Sequence, residues 1–288
     1  MAVAETIGGT IINADASQLY ADLSIVRARP SAADEAWVPH RLYGVLDGDD
    51  GASAARWAAM AKAAIADVLA EGRVPMLVGG TGMYVSTLID GIAPVPDIDP
   101  QIRALVRGLE TADAAAALAL EDRALAARLK PADRQRILRG LEVVRSTGRS
   151  LLYWQQTRSG GIAGTHDVRR MVVEAPRPVL HARAEARLWQ MIDGGALAEV
   201  AALLARGLPD DRPVLRALGV REFGSVLAGE MGLEAAVAAA AAATRQYQKR
   251  QCTWARSQAG DWPRIDAGDA EAIAKVSAAF VPGRRPWS

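Results

Sequence analysis

Asp15 is the side chain best placed by its neighbours to do chemistry. It follows the apolar pair Ile11-Ile12 and is flanked by Ser17 and Gln18, neutral groups suited to reading the polar edge of a ligand. A carboxylate in that setting can take a proton as a general base. A plainer use is also open, because Asp after a strand often forms a turn or caps a helix. The second group is Gly79-Gly80-Thr81-Gly82, directly after the apolar run Val74-Pro75-Met76-Leu77-Val78. Glycines let backbone approach a phosphate, Thr81 adds a hydroxyl, and a following helix start favours anions. A tight strand-to-helix turn would use the same residues without a ligand. The third group is arginine on helices. Arg134, Arg136 and Arg139 surround a helix start, Arg216 and Arg221 flank Gly219, and Arg245, Lys249 and Arg256 share a helix face. No acidic residue lies between Glu234 and Asp261. Unneutralised like charges repel on a helix, which favours an anion or nucleic-acid surface over a merely solvated face. Tyr20, Tyr84, Tyr153, Trp154, Tyr247 and Trp254 lie near these groups in the sequence. Most are expected in the core, with one or two left to stack on bases.

These groups need elements to hold them. Met1–Gly9 reads as the last turns of a helix ending in a glycine cap, and Ile11–Ala14 as a buried strand. An irregular stretch runs from Ser17 to about Asp50. Ser53 caps a helix to about Ala70, Val74–Val78 is a buried parallel strand, and a helix starts at Met83. Strand, helix and strand make a βαβ unit, and in open α/β sheets ligands sit at the carboxyl ends of the strands. Asp90–Pro100, rich in Pro and Asp, is a linker. Helices follow to about Arg128 and from Asp133 to Ser146, closed at Gly148. Thr157–Thr165 is exposed, and Val168–Glu174 is a strand returning to the sheet. Helices then cover Pro178 to Arg206, Pro213 to Ala228 and Glu234 to Gln258, with an edge strand at Trp262–Ile265.

Bulk properties narrow the class. The chain has 288 residues, half of them hydrophobic, enough for one sizeable domain with a subdomain. Its 34 basic and 33 acidic residues leave a net charge of +1, so any anion binding must come from a local patch. Cys252 is the only cysteine and cannot form an intrachain disulfide; it is expected as a small buried apolar residue. His40, His166 and His181 are too scattered to suggest a metal site, and His40 is expected to make a structural hydrogen bond. No apolar run is long enough to span a bilayer, so no membrane partner and a cytoplasmic location are expected.

The motifs in order resemble one family, the tRNA dimethylallyltransferases (tRNA isopentenyltransferases). The match covers Ile12–Tyr20, Pro39-His40-Arg41-Leu42, Leu77–Tyr84, Asp99–Arg103, Pro131–Val143, Leu218–Glu222 and Thr244–Gln251. Any one of these is weak; together they span nearly the whole chain. The resemblance implies an α/β fold, a P-loop NTPase-like parallel sheet flanked by helices, with residues 1–95 and 134–288 as core and 96–133 as a small helical insertion contacting tRNA. It implies transfer of a dimethylallyl group from dimethylallyl diphosphate to N6 of the adenine 3′-adjacent to the anticodon, in tRNAs reading codons that begin with U. Mg2+ would assist the diphosphate. The partners would be a tRNA anticodon stem-loop and dimethylallyl diphosphate, and the protein would be a monomer.

Carried over residue by residue, the family's pattern gives Asp15, Thr81 and Arg221 catalytic roles. Contacts to tRNA fall to Asp15, Ala16, Ser17, Gln18, Thr81, Arg103, Gln135, Arg136, Ile137, Leu138, Arg139, Arg216, Ala217, Leu218, Gly219, Val220 and Arg221. No metal ligand and no cofactor-binding residue is assigned. The family opens with a strand and a loop of the form G-x-T-x-x-G-K-[ST], which would cradle the diphosphate. This sequence opens inside the helix expected after that loop, roughly twenty residues later on the usual lengths of a strand, loop and two helical turns. Expected from this is a reading frame that starts further upstream. The chain as written would then bind the diphosphate poorly and show negligible transfer. The compact insertion would also trim tRNA contacts. Rival expectations are a non-catalytic tRNA-binding protein, a P-loop kinase-like transferase, or a prenyltransferase acting on free adenine nucleotides.

Overall fold

The computed structural model describes residues 1–280. They divide into two compact units, 1–86 with the described residues from 167 onward, and 87–166. The unit that interrupts the core is thus wider than the expected 96–133 and takes in the helix at 134–147.

In the first unit α1 (Ala2–Thr6) leads through Gly8 into β1 (Gly9–Asn13), whose five residues are all buried. β1 is the middle strand of a three-stranded parallel sheet, between β2 (His40–Arg41) and β3 (Val74–Val78). Two polar residues carry no strand pattern, so β2 and the helix before it, α2 (Ala32–Trp37), are invisible in the period of the sequence. β2 exists because Ile11 and Ile12 offer it a paired edge. β3 falls where expected, but as an edge strand it is half-buried, with Val78 exposed. α3 (Ala54–Ala70) supplies the crossover. Ser53 caps it by accepting from the Arg56 amide, and Trp57, Ala61, Ile65 and Val68 fill its buried face. α4 (Gly82–Asp90) follows the glycine turn and runs across the boundary between the units.

The second unit is helical: α5 (Pro100–Arg107), α6 (Thr111–Glu121), α7 (Arg123–Ala126), α8 (Arg134–Thr147) and α9 (Leu151–Trp154). Val106, Leu118, Leu125, Ile137 and Leu141 form its core. Gly140 lets α8 approach closely, since a Cβ there would lie 2.6 Å from a Leu125 methyl and 3.1 Å from one of Leu118. The segment 157–165 is largely exposed, as expected, but it buries Ile162 and pairs Ser159 with Ile92.

The chain then returns to the first unit. Val172–Glu174 is strand β4, but it does not rejoin the main sheet. It pairs in parallel with β5 (Arg264–Asp266) as a separate two-stranded sheet. Three residues with Val173 exposed carry no face for a buried sheet. The helix expected over 178–206 is two, α10 (Arg177–Asp193) and α11 (Ala196–Ala205), broken where Gly195 takes φ 101°. A 3-10 turn at Pro213–Arg216 precedes α12 (Val220–Leu227). The long α13 (Leu233–Gln258) packs on α10 and α12, and α14 (Ala270–Phe280) on α1. Among the described residues no single helix is long and apolar enough to cross a membrane.

Candidate active site

The C-terminal end of β1 holds a dense polar cluster, and Asn13 builds its floor. This buried amide donates to the carbonyls of Asp15 and Leu42, both at 3.0 Å, and accepts from the Asp15 amide at 2.7 Å. The Asn13 carbonyl accepts from the Trp57 indole at 2.9 Å. The backbone of Asp15 is therefore fixed from two sides. Its side chain caps the 3-10 turn Ala16–Leu19, where Oδ1 accepts from the Ser17 amide at 2.8 Å and from the Ser17 hydroxyl at 2.5 Å. Among the described residues Oδ2 has no hydrogen-bond partner. Asp15 is thus a cap and also retains one open carboxylate oxygen.

Thr81 faces this cluster from the next strand end. Its hydroxyl accepts from the Ala16 amide at 3.0 Å and its own amide donates to Ala14 at 3.2 Å. The glycine turn around it is closely packed. A Cβ on Gly79 would lie 2.2 Å from the Ala14 carbonyl carbon, and the Gln251 amide donates to the Gly80 carbonyl at 3.2 Å. Trp254 lies against Gly82. These glycines serve close packing of β1, β3 and α13, so the tight-turn reading describes them rather than an open phosphate cradle.

Three phenols surround the carboxylate. Burial pushes Tyr43 and Tyr84 up to about 12, and the nearby Asp15 adds to both. Tyr84 also stacks on Trp57 with ring centroids 4.8 Å apart. Burial and then Asp15 raise Tyr247, while its hydrogen bonds to Thr81 and Gln251 and the charge of Arg27 oppose the rise. All three phenols are therefore neutral donors at pH 7. Arg27 is the cation of the cluster. Burial lowers its guanidinium from the usual value, and Asp15 and Tyr247 pull it back. It donates to the Ser17 hydroxyl and, at 3.5 Å, to the Leu218 carbonyl. Glu199 on α11 holds the preceding loop by accepting from the amides of Ser24, Ile25 and Val26. The Gln18 side chain is spent on the carbonyls of Arg27 and Ala28.

The structure thus joins Asp15, Ala16, Ser17, Gln18, Thr81 and Leu218 in one cluster of the first unit. Arg216 and Arg221 are exposed in the same unit, and no contact ties Arg221 to Asp15. Ala217 and Val220 are core residues whose side chains are not presented to a ligand. Arg103 and Gln135–Arg139 belong to the second unit. Arg103, Gln135 and Arg136 are exposed, Leu138 and Arg139 are half-buried, and Ile137 is core. Arg27, Asn13, Tyr43 and Gln251 are the residues that sequence reasoning missed as site components. Arg27 sits in the irregular stretch before α2, where no period marks it. The aromatic candidates divide: Tyr20 and Tyr84 are core, Tyr153 lies under Arg149, and Trp254 is edge-on to Trp262. His40 bonds the Val38 carbonyl through Nδ1 at 2.7 Å, and Cys252 is half-buried rather than buried.

A shallow groove on α13 is lined by Lys249, Arg250, Thr253, Trp254 and Ser257. Among the described residues Arg245, Lys249 and Arg256 have no carboxylate within ion-pair distance. Among the described residues no group of three His, Cys, Asp or Glu side chains is placed to hold a metal. The donors at the mouth of β1 (one carboxylate, hydroxyls, phenols and a guanidinium) do not make a resident magnesium site.

Residues 18–258 match the IPP transferase family. A tRNA dimethylallyltransferase of Sphingopyxis alaskensis is 56% identical over 266 residues, 92% of this chain and 87% of that one. One from Novosphingobium aromaticivorans is 50% identical over 93% of this chain and 95% of its own length. Among solved structures, the tRNA isopentenylpyrophosphate transferase of Bacillus halodurans is similar at TM-score 0.68 and 28% identity, over 96% of this chain and 88% of that one. A eukaryotic dimethylallyltransferase acting on tRNA shares the fold at TM-score 0.81 and 22% identity, covering 96% of this chain and 73% of its own.

Proposed function

This chain belongs to the IPP transferase family, and from that premise we propose that it transfers a dimethylallyl group from dimethylallyl diphosphate to N6 of the adenine 3′-adjacent to the anticodon, in tRNAs that read codons beginning with U. The observation that carries the reading is the open Oδ2 of Asp15 at the carboxyl end of β1, fixed by Asn13 and Ser17. The exocyclic amine of adenine is a weak nucleophile because its lone pair is delocalised into the ring. A carboxylate that accepts one of its protons orients the amine and restores its nucleophilicity. In this step N6 bonds to the allylic carbon, and the carbon–oxygen bond to diphosphate breaks with its electrons leaving on the diphosphate. The N6 proton passes to Asp15. The target base must leave the anticodon stack to arrive there, as in other enzymes that do chemistry on a base.

Arg245, Lys249 and Arg256, which have no acidic partner among the described residues, supply the backbone-binding charge for the stem-loop. Arg221 contributes to the same surface. Magnesium enters as the counter-ion of the diphosphate substrate, and no step is assigned to it. The protein acts as a monomer in the cytoplasm, where its tRNA substrate is.

The test is prenylation of an anticodon stem-loop, read as the mass gain of the RNA. It is run on this chain and on a version extended upstream with the phosphate loop of the family pattern. Transfer by either supports the reading, with Asp15→Ala slowing it about 10²–10⁴-fold, the usual share of a general base. Salt-sensitive stem-loop binding by both with no transfer would instead make it a tRNA-binding protein. Preference for AMP over the stem-loop would make it a free-nucleotide transferase.

A further inference from the structure

Arg27 has a place in the structure that the proposed reaction has not yet used. Its guanidinium donates to the Ser17 hydroxyl, which also contacts Asp15 Oδ1 at 2.5 Å. Arginine has donors only, so at this contact the serine oxygen must accept. A hydroxyl has one proton, and with its oxygen accepting from Arg27 that proton is directed at Oδ1. The Ser17 amide occupies Oδ1 as well, at 2.8 Å. Oδ1 is therefore saturated and Oδ2 is left open. Among the described residues no carboxylate pairs directly with Arg27 and its Nε is enclosed without a partner, so the charge is held there by the surrounding structure. Glu199 and Gln18 fix the loop that carries it, over sequence separations of 173 and 9 residues.

We propose that Arg27 is a positioning residue that, through Ser17, polarises the Asp15 carboxylate so that Oδ2 alone receives the proton from the acceptor amine. The proposal rests on Asp15 acting as the base in the reading above. Each link has a distinct chemical duty: Arg27 sets the direction of the hydroxyl, Ser17 saturates one carboxylate oxygen, and Asp15 offers the other. The charged and titratable groups facing the carboxylate are Arg27, Tyr43, Tyr84 and Tyr247. The three phenols are neutral where the reaction runs, so Arg27 is the charge that replacement removes.

The experiment compares Arg27→Met, Arg27→Lys, Ser17→Ala and the Ser17→Ala/Arg27→Met double variant, in whichever parent transfers the prenyl group. Arg27→Met is expected to lower kcat about 10- to 100-fold with KM for the stem-loop within threefold. The acid limb of its kcat/KM profile should move toward higher pH. Arg27→Lys should restore that limb and part of kcat, and the double variant should be no slower than Arg27→Met. An unchanged kcat, a change confined to KM, or a loss that Arg27→Lys leaves uncorrected would overturn the proposal. A crystal structure of Arg27→Met gives a readout independent of turnover. Separation of Ser17 Oγ from Asp15 Oδ1 beyond hydrogen-bond reach supports the coupling, and an unmoved pair overturns it. Absence of transfer by both parents, with the pair separated in the variant, would sink the proposed reaction while leaving the coupling intact.

Discussion

The start of α8 and the second half of α13 look alike as sequence, and the fold uses them in opposite ways. Each gathers several basic side chains within a few turns. In α8 nearly every arginine is spent inside its own unit. Arg134 donates to the carbonyls of Leu109 and Arg107 and to the Thr111 hydroxyl, tying the start of α8 to α5 and to the turn before α6. Arg136 pairs with Asp133, and Arg107 and Arg139 share the buried carboxylate of Glu142. In α13, Arg245, Lys249 and Arg256 have no acidic partner among the described residues, and Arg250 lies over the Tyr247 ring. A cluster of arginines is therefore available to an outside anion only where the fold withholds its own.

Reversing charge where it is open should have the largest effect. Lys249→Glu with Arg256→Glu is expected to weaken anticodon stem-loop binding at least about tenfold at low salt and flatten its salt dependence by about two phosphate contacts. Filter binding across a salt series checks this, and an unaltered slope would erase the contrast with α8. Next comes the buried carboxylate of α8, Glu142. Glu142→Ala should cost about 1.5–3 kcal/mol, the range for hydrogen bonds to charged groups, read as a shift in urea midpoint. A stability-neutral result would mean that these arginines are as free as those of α13.

A third measurement separates the units by pH. Tyr43 and Tyr84 are raised from 10.0 to about 12 by burial, so the unfolded chain ionises them first. Their contribution is complete below pH 10 and is lost as pH climbs toward 12, and Tyr84→Phe should blunt that alkaline loss. In the second unit the Arg145 hydrogen bond lowers the Glu121 carboxyl from 4.5. That contribution is present above pH 4.5 and fades as pH falls through the lowered value, so Glu121→Gln should lower stability slightly above pH 4.5 and flatten the acid loss, the difference from the parent vanishing in acid. Thermal unfolding from pH 3 to 12 resolves the two. The smallest effect is expected for Arg136→Ala. Its guanidinium is largely exposed beside Asp133, so stability should change by less than about 0.5 kcal/mol.

Much of the architecture was legible because its signals are local. The apolar run at β3, the Ser53 cap and the closure of α8 at Gly148 each need only a few neighbouring residues. Asp15 was found because it follows a strong strand, and its cap geometry and open oxygen agree with both uses weighed for it. The break at Gly194-Gly195 was visible in the residue types, yet the apolar period continues through it and hides it. β2 and the pairing of β4 with β5 had no local mark. A strand of two or three residues is defined by its partner, and the partner lies elsewhere in the chain.

The sequence alone determined most of the longer helices, the strands β1 and β3, and that a carboxylate stands at a strand mouth. Hydrophobic period and capping are properties of neighbours in the chain, and they act before any distant contact forms. Only the tertiary structure decided the company of that carboxylate and the employment of the arginines. Gln251 reaches Gly80 across 171 positions and Arg107 reaches Glu142 across 35. Electrostatic and hydrogen-bond energies depend on distance in space, and the sequence does not contain that distance until the chain has folded.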